Sequence, residues 1–296
     1  MSRSYRYCTC DVFTDARFGG NPLAVLPDAR GLTDAEMQAI AREFNYSETT
    51  FVLAPADARH TARVRIFTPG GELPFAGHPT IGTAFVLAAT GAVDRAASEL
   101  VFEEGVGPVP VQLERDGDAI KSCTLTTARL PESGPPPPAA EQLARMLQLP
   151  ADAVSDGAEC WSCGVPFLVV PLAAVEALAA CRLDLALWRE LLSGYATQKV
   201  YPVARVSDGL WRVRMFAPGV GVAEDPATGS AAAAFAGWIA KRSDLRDGTL
   251  RLTLHQGIEI GRPSELRLEI DRAHGATTAV RVGGAAVMVS QGMLLV

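Results

Sequence analysis

The chain has 296 residues and a mass of 31.3 kDa, with 48% hydrophobic and 20% charged residues. That length suits one or two domains, and that composition can bury a full core, which excludes a disordered or low-complexity chain. A net charge of -6 speaks against the basic face that a phosphate backbone requires, so nucleic acid is not the expected partner. A small anion remains compatible, because local dipoles outweigh net charge at short range. No run reaches the roughly 20 apolar residues that span a bilayer. The N-terminal MSRSYRYCTCDVF holds no apolar signal core, so a cytoplasmic protein without a membrane partner is expected.

Taken in chain order, strand-like runs come first, at Cys8–Phe13 and Leu23–Leu26. A helix is predicted over Thr33–Phe44, where Thr33 followed by Glu36 forms a capping box. Glu48 stands in Asn45-Tyr-Ser-Glu48-Thr-Thr-Phe51, just before a strand at Thr50–Leu53. Further strands are expected at Arg63–Phe67, Val109–Leu113 and, past the turn signal Asp116-Gly117-Asp118, at Ser122–Thr126. The run PESGPPPP at 131–138 continues neither a helix nor a central strand. An amphipathic pattern of Leu143, Met146, Leu147 and Leu149 follows it. Strands are then expected at Phe167–Val170, Val200–Val206, Leu210–Phe216, Thr249–His255, Leu266–Ile270 and Ala279–Val282. Two helical segments, Pro79–Leu87 and Thr228–Ala240, are apolar nearly all round and rich in small residues. A helix apolar on every face must be wholly buried.

The chain repeats itself. RVRIFTPG at 63–70 returns as RVRMFAPG at 212–219, GHPTIGTAF at 77–85 as ATGSAAAAF at 227–235, and GNPLAVLP at 20–27 as GVPFLVVP at 164–171. Two homologous halves are expected, each a sheet around one buried helix, with the cut placed at the turn after Asp116.

The chemistry should lie where the repeat carries polar residues into the buried helices. One loop is Pro74-Phe-Ala-Gly77-His78-Pro79-Thr80; the other is Glu224-Asp225-Pro226-Ala-Thr228-Gly229-Ser230. Free N–H groups and the positive end of the dipole at such helix starts favour an anion, which suits a carboxylate substrate. With the halves related by a pseudo-two-fold axis, the two starts would face each other across a cleft. Ordinary capping explains Asp225, Thr228 or Pro79 taken singly; their matched places in a repeat favour a site. His78 alone of the four histidines lies in such a loop, where its charge can change near neutral pH. Glu48, if buried, is suited to acid/base work, although a solvated turn glutamate is the plainer reading of its position alone. The six cysteines include Cys160-Trp-Ser-Cys163, but this lone pair has no second half, so structural thiols and no metal are expected.

These residues resemble the phenazine-biosynthesis isomerase family, PhzF-like, within the diaminopimelate-epimerase fold. The resemblance runs along the whole chain. It includes DVFTDARFGGNPLAVL at 11–26, NYSETTFV at 45–52, FTPGGELPFAGHPTIGTAF at 67–85, GVAEDPATGSAA at 221–232, QGIEIGRPSEL at 256–266 and GGAAVMVSQGML at 283–294. Ile260 stands where Met is usual. The resemblance implies an α+β fold of two pseudo-symmetric domains, each a mostly antiparallel sheet wrapped around a central buried helix. The last strand would return to the first domain, giving domains of 1–118 plus 284–296 and 119–283. It implies no cofactor or metal and a small carboxylate-bearing substrate; a homodimer is the expected assembly. By motif, Glu48 would be the proton-shuttling acid/base, with His78 and Asp225 as catalytic partners that bind and polarise the substrate. Gly77, Ser230, Gly229 and Thr228 would hold its polar groups. The reaction expected is a proton shift like that of the dihydro-hydroxyanthranilate isomerases. Thiol racemases of this fold carry a cysteine in each helix-start loop, and neither loop here has one. A non-thiol racemase or epimerase of a small acid and a non-catalytic binder remain the alternatives.

Overall fold

A computed structural model describes residues 3–296. The first of two units runs to Ala128 and takes in Gly283–Val296. Its elements are β1 (Ser4–Val12), β2 (Asn21–Leu26), α1 (Asp34–Phe44), β3 (Glu48–Leu53), β4 (Ala62–Thr68), β5 (Gly71–Leu73), α2 (Gly77–Ala89), β6 (Glu99–Glu104), β7 (Gly107–Asp116) and β8 (Ala119–Thr126). The capping box is formed: the Thr33 hydroxyl accepts from the Glu36 N–H and the Glu36 carboxylate accepts from the Thr33 N–H. Asn45 ends α1 in the left-handed region, at φ 52°. The apolar face of α1, Met37, Ile40 and Ala41, packs on Leu26, Phe51 and Phe67.

Side by side, β1, β2, β3, β4, β6 and β7 pair antiparallel, parallel, antiparallel, parallel and antiparallel. Each parallel step needs a crossover, supplied by α1 and then by α2. The α2 helix is buried from Gly77 to Ala88. A Cβ on Gly82 would lie 2.5 Å from Leu23 Cδ2 and 2.7 Å from Val12 Cγ2, so only glycine lets β1 and β2 lie this close. β7 and β8 form a hairpin closed by Gly117 and Asp118, with Asp116 opposite Ala119. The expected cut at 118 falls inside this turn, and the unit continues to Ala128. Strand pairing sets this end, and a turn signal alone does not distinguish a hairpin from a seam.

The second unit, Arg129–Val282, contains β9 (Glu132–Ser133), α3 (Ala140–Met146), β10 (Glu159–Ser162), β11 (Pro166–Pro171), α4 (Val175–Ala180), α5 (Leu185–Leu192), β12 (Val200–Ser207), β13 (Leu210–Val213), α6 (Gly229–Arg242), β14 (Gly248–Gln256), β15 (Ser264–Ala273) and, as far as Val282, β16 (Ala276–Gly284). Here β10, β11, β12, β13, β14 and β15 repeat the order antiparallel, parallel, antiparallel, parallel, antiparallel. The buried helix α6 stands between β13 and β14 as α2 stands between β4 and β6. A Cβ on Gly237 of α6 would meet Trp161 Cε3 at 2.2 Å. The strand expected over Leu210–Phe216 stops at Val213, and Phe216 keeps only a bridge to Val200. The short helices α3, α4 and α5 build a separate core with Leu143, Leu178, Trp188 and Leu192.

The last strand, β17 (Ala286–Leu295), lies antiparallel to β1. The fold is therefore α+β, with one mostly antiparallel sheet around one buried helix in each unit. No described helix is long and apolar enough to cross a membrane.

Candidate active site

The first turn of an α-helix leaves backbone N–H groups without intrahelical partners. α1 and α5 cover theirs with the side chains of Thr33 and Asp184. The two buried helices do not: Ala76 and Thr228 precede α2 and α6, and neither makes a side-chain cap bond. Each unit keeps a helix start whose N–H groups and dipole suit an anion.

In the first unit, β3 begins at Glu48 and α2 begins at Gly77. This places Glu48 Oε2 3.4 Å from His78 Nε2, with the side chains 16% and 6% exposed. Glu48 is thus not the solvated turn residue that its position alone suggests. The His78 ring donates to the Pro22 carbonyl. Nε2 makes no hydrogen bond among the described residues, so the donor is Nδ1 and Nε2 carries a lone pair. Burial pushes His78 down to about 3, the Pro22 bond opposing it only in part, and the imidazole is neutral at physiological pH. The other histidines are engaged elsewhere: His60 Nδ1 is 2.9 Å from Glu103, and His255 and His274 stand beside Glu265 and Asp247.

In the second unit the site is built around Gln256, the last residue of β14 and 1% exposed. Its amide donates to the Asp225 carbonyl at 2.8 Å and to the Thr228 hydroxyl at 3.0 Å, and accepts from the Thr228 N–H at 3.2 Å. The Thr228 hydroxyl donates in turn to the Asp225 carboxylate. Asp225 is buried. The loop before it is anchored by Arg214, whose Nε and Nη2 donate to Glu224 at 2.8 and 2.7 Å. Arg214 Nη1 also donates to the carbonyls of Leu178 and Cys181. Gly229 is buried and Ser230 half-buried in the first turn of α6. Gly257 has φ +74°, and a Cβ there would lie 2.6 Å from the Pro226 oxygen. Glycine is what lets the chain leave Gln256 so close to this loop.

Sequence reasoning missed Gln256 and its counterpart Glu104, the last residue of β6. Glu104 Oε1 lies 2.7 Å from the Thr80 hydroxyl in the first turn of α2. Both residues precede a glycine after the strand that follows a buried helix, and Gln256 also opens the QGIEIGRPSEL stretch, but neither signal assigned a role.

Among the described residues no group of three or more His, Cys, Asp or Glu is placed to hold a metal ion. Cys160 is buried in β10, and the Cys163 thiol donates to the Ala233 carbonyl at 3.4 Å. Burial raises the thiols of Cys10 and Cys123, the latter to about 12, which keeps them un-ionised and unreactive.

Residues 10–292 match the family described as phenazine biosynthesis-like protein, PhzC-PhzF. The chain belongs to this family. An uncharacterized isomerase of Mesorhizobium japonicum is 43% identical over 98% of this chain and 98% of its own. The trans-2,3-dihydro-3-hydroxyanthranilate isomerase of Pseudomonas aeruginosa is 37% identical over 97% of this chain and 98% of its own. A PhzF-family phenazine biosynthesis protein of Bacillus anthracis shares the fold at a TM-score of 0.89 and 24% identity, covering 99% of this chain and 100% of that one. Like these PhzC-PhzF relatives, the protein is an isomerase.

Proposed function

We propose that the protein is a cofactor-independent isomerase that moves one proton along a small conjugated substrate bearing a carboxylate, with Glu48 as the proton carrier. The observation that carries this reading is the 3.4 Å approach of Glu48 to a neutral His78. A carboxylate oxygen facing the Nε2 lone pair repels it, whereas one proton on the pair turns the contact into a hydrogen bond. Such a pair can take a proton from carbon and return it, with little change in its surroundings.

In this reading Glu48 removes the proton from a saturated carbon next to the conjugated system and returns it at the far end. The double bonds shift, and the product carries the same charge as the substrate. His78 steadies Glu48 in its protonated state. Asp225 binds a polar hydrogen of the substrate. The backbone N–H groups at Gly77 and Gly229, with the Ser230 and Thr228 side chains, hold its oxygens. The relatives named for trans-2,3-dihydro-3-hydroxyanthranilate suggest that compound as the first probe. Turnover in heavy water should give product carrying deuterium at the new C–H position with the double bond moved. Deuterium with inverted configuration would instead indicate a racemase or epimerase. No incorporation in any small conjugated acid would indicate a binder.

A further inference from the structure

Thr80 lies in the first turn of α2, two residues after His78. Its hydroxyl oxygen is 2.8 Å from the Ala76 carbonyl oxygen and 2.7 Å from Glu104 Oε1. A hydroxyl has one proton, and a carbonyl oxygen can only accept. Both contacts are hydrogen bonds at once only if the Thr80 proton goes to Ala76. The contact with Glu104 is then a hydrogen bond only if the proton in it belongs to Glu104.

The surroundings agree. Glu104 is 8% exposed, and its Oε2 has no hydrogen-bond partner among the described residues. An ionised carboxylate there would be unpaired and dry, which is costly; burial raises the group to about 8. Arg63 and Arg65 from β4 and Glu72 from β5 line a cavity of about 370 Å³ with it. Arg65 is bound to Glu72 and Asp34. On β6, Glu103 is bound to the Ala56 and Asp57 N–H groups and to His60. The titratable group on α2 is His78, and those on β7, Glu114, Arg115 and Asp116, lie at its far end. None of these bonds Glu104.

The second unit shows what a group in this place does. Gln256 ends β14 as Glu104 ends β6, and its amide ties the Asp225 carbonyl to Thr228 at the start of α6. A protonated carboxyl offers the same carbonyl and one of the same donors. We infer that Glu104 is kept as a neutral acid in the role of a carboxamide, a positioning residue that holds the first turn of α2 and His78 with it. Its effect on turnover rests on the proton-shift reading above; its effect on α2 does not.

Glu104→Gln separates these. The wild-type carboxyl is protonated in the folded chain and ionised in the unfolded chain from its ordinary 4.5 up to about 8. The folded state binds the extra proton across that window, so this contribution to stability falls as pH rises through it. The wild type should lose melting temperature relative to Glu104→Gln from about pH 4.5 to about pH 8, then run parallel to it. Exchange protection of the Thr80 and Ile81 amides should drop above pH 8 in the wild type only. With trans-2,3-dihydro-3-hydroxyanthranilate as probe, wild-type turnover should fall about 10-fold between pH 7 and 9, as a single group near 8 requires. Glu104→Gln should lack that fall. If the compound is not turned over, the choice of substrate fails, and the melting profile still decides the role of Glu104. A melting difference flat from pH 4.5 to 8 overturns the inference. Should Glu104→Gln not fold, carboxyl-labelled glutamate in the wild type decides instead. One resonance titrating near pH 8 supports the neutral acid, and all titrating in the ordinary range overturns it.

Discussion

His78 Nε2 faces Glu48 Oε2 across 3.4 Å, with the other ring nitrogen committed to the Pro22 carbonyl. The two residues come from the start of a strand and the start of a buried helix, 30 positions apart in the chain. Neither element alone would bring this carboxylate and this imidazole together. Burial removes water from both, and the Pro22 bond fixes which imidazole nitrogen looks at the acid.

Glu48→Gln keeps the shape, and its amide can still donate to His78 Nε2, but it cannot accept a proton from carbon. Turnover should fall at least about 10²-fold, the low end for acid/base catalysis, with the dissociation constant nearly unchanged. Asp225→Ala should weaken binding as well, because it removes a contact made before the reaction starts. Isotope exchange and calorimetric titration on both variants check this. Near-normal turnover in Glu48→Gln would take Glu48 out of the mechanism.

His78 makes the folded state sensitive to acid in a particular window. Its ordinary value is 6.5 and burial holds it near 3. Below 6.5 the unfolded chain gains a proton that the folded chain refuses. The stability due to neutral His78 is complete above that value and is lost as pH falls toward 3. His78→Gln should flatten this part of the profile, read as urea midpoints at pH 7, 5 and 4. An unchanged slope would mean that His78 takes a proton in the folded protein.

Gln256→Leu should be costly in a different way. The Thr228 N–H and the Asp225 carbonyl would both lose their bond to the amide. Leaving buried groups unsatisfied costs about 1–3 kcal/mol. Urea unfolding should show that loss, and substrate affinity should fall with it, since Asp225 and the start of α6 lose their common tie. A loss of stability without a loss of affinity would separate Gln256 from the site.

Gly237→Ala tests the packing of α6. The added methyl would sit 2.2 Å from the Trp161 ring, and overpacking of this kind costs about 1–3 kcal/mol. Gly194→Ala is the control, since nothing lies within 4 Å of its Cβ position. Equal unfolding midpoints for the two variants would show that Trp161 can move aside.

What the sequence made legible was what repeats or caps. RVR-x-F-x-PG and the two all-apolar helices recur because β4 with α2 and β13 with α6 meet the same packing demands. Thr33 and Glu36 form a local device, complete within four residues. β6, with Glu99, Glu103 and Glu104, and β10, only Glu159–Ser162, carried too little pattern to read. Glu48, His78 and Asp225 came forward as candidates mainly through motif resemblance. Gln256 and Glu104 did not, because a polar residue at a strand end ordinarily faces water, and only the folded packing shows these two are buried. Thr228 looked like a cap, yet its hydroxyl is spent on Asp225.

The pairing of β17 with β1 sets an order of events during synthesis. The first unit is assembled from two stretches of chain with the whole of the second unit between them. As the ribosome proceeds, β1 emerges early but waits with one edge unpaired until residues 286–295 follow. Arg129–Val282 is continuous and can close on itself during that wait. Ser4–Val12, with buried Cys8, Cys10 and Val12, is meanwhile an open strand edge of the kind that recruits other chains. The nascent chain is therefore most exposed to aggregation just before its final strand is made, and slowing translation there should lower the soluble yield more than the same delay within the second unit.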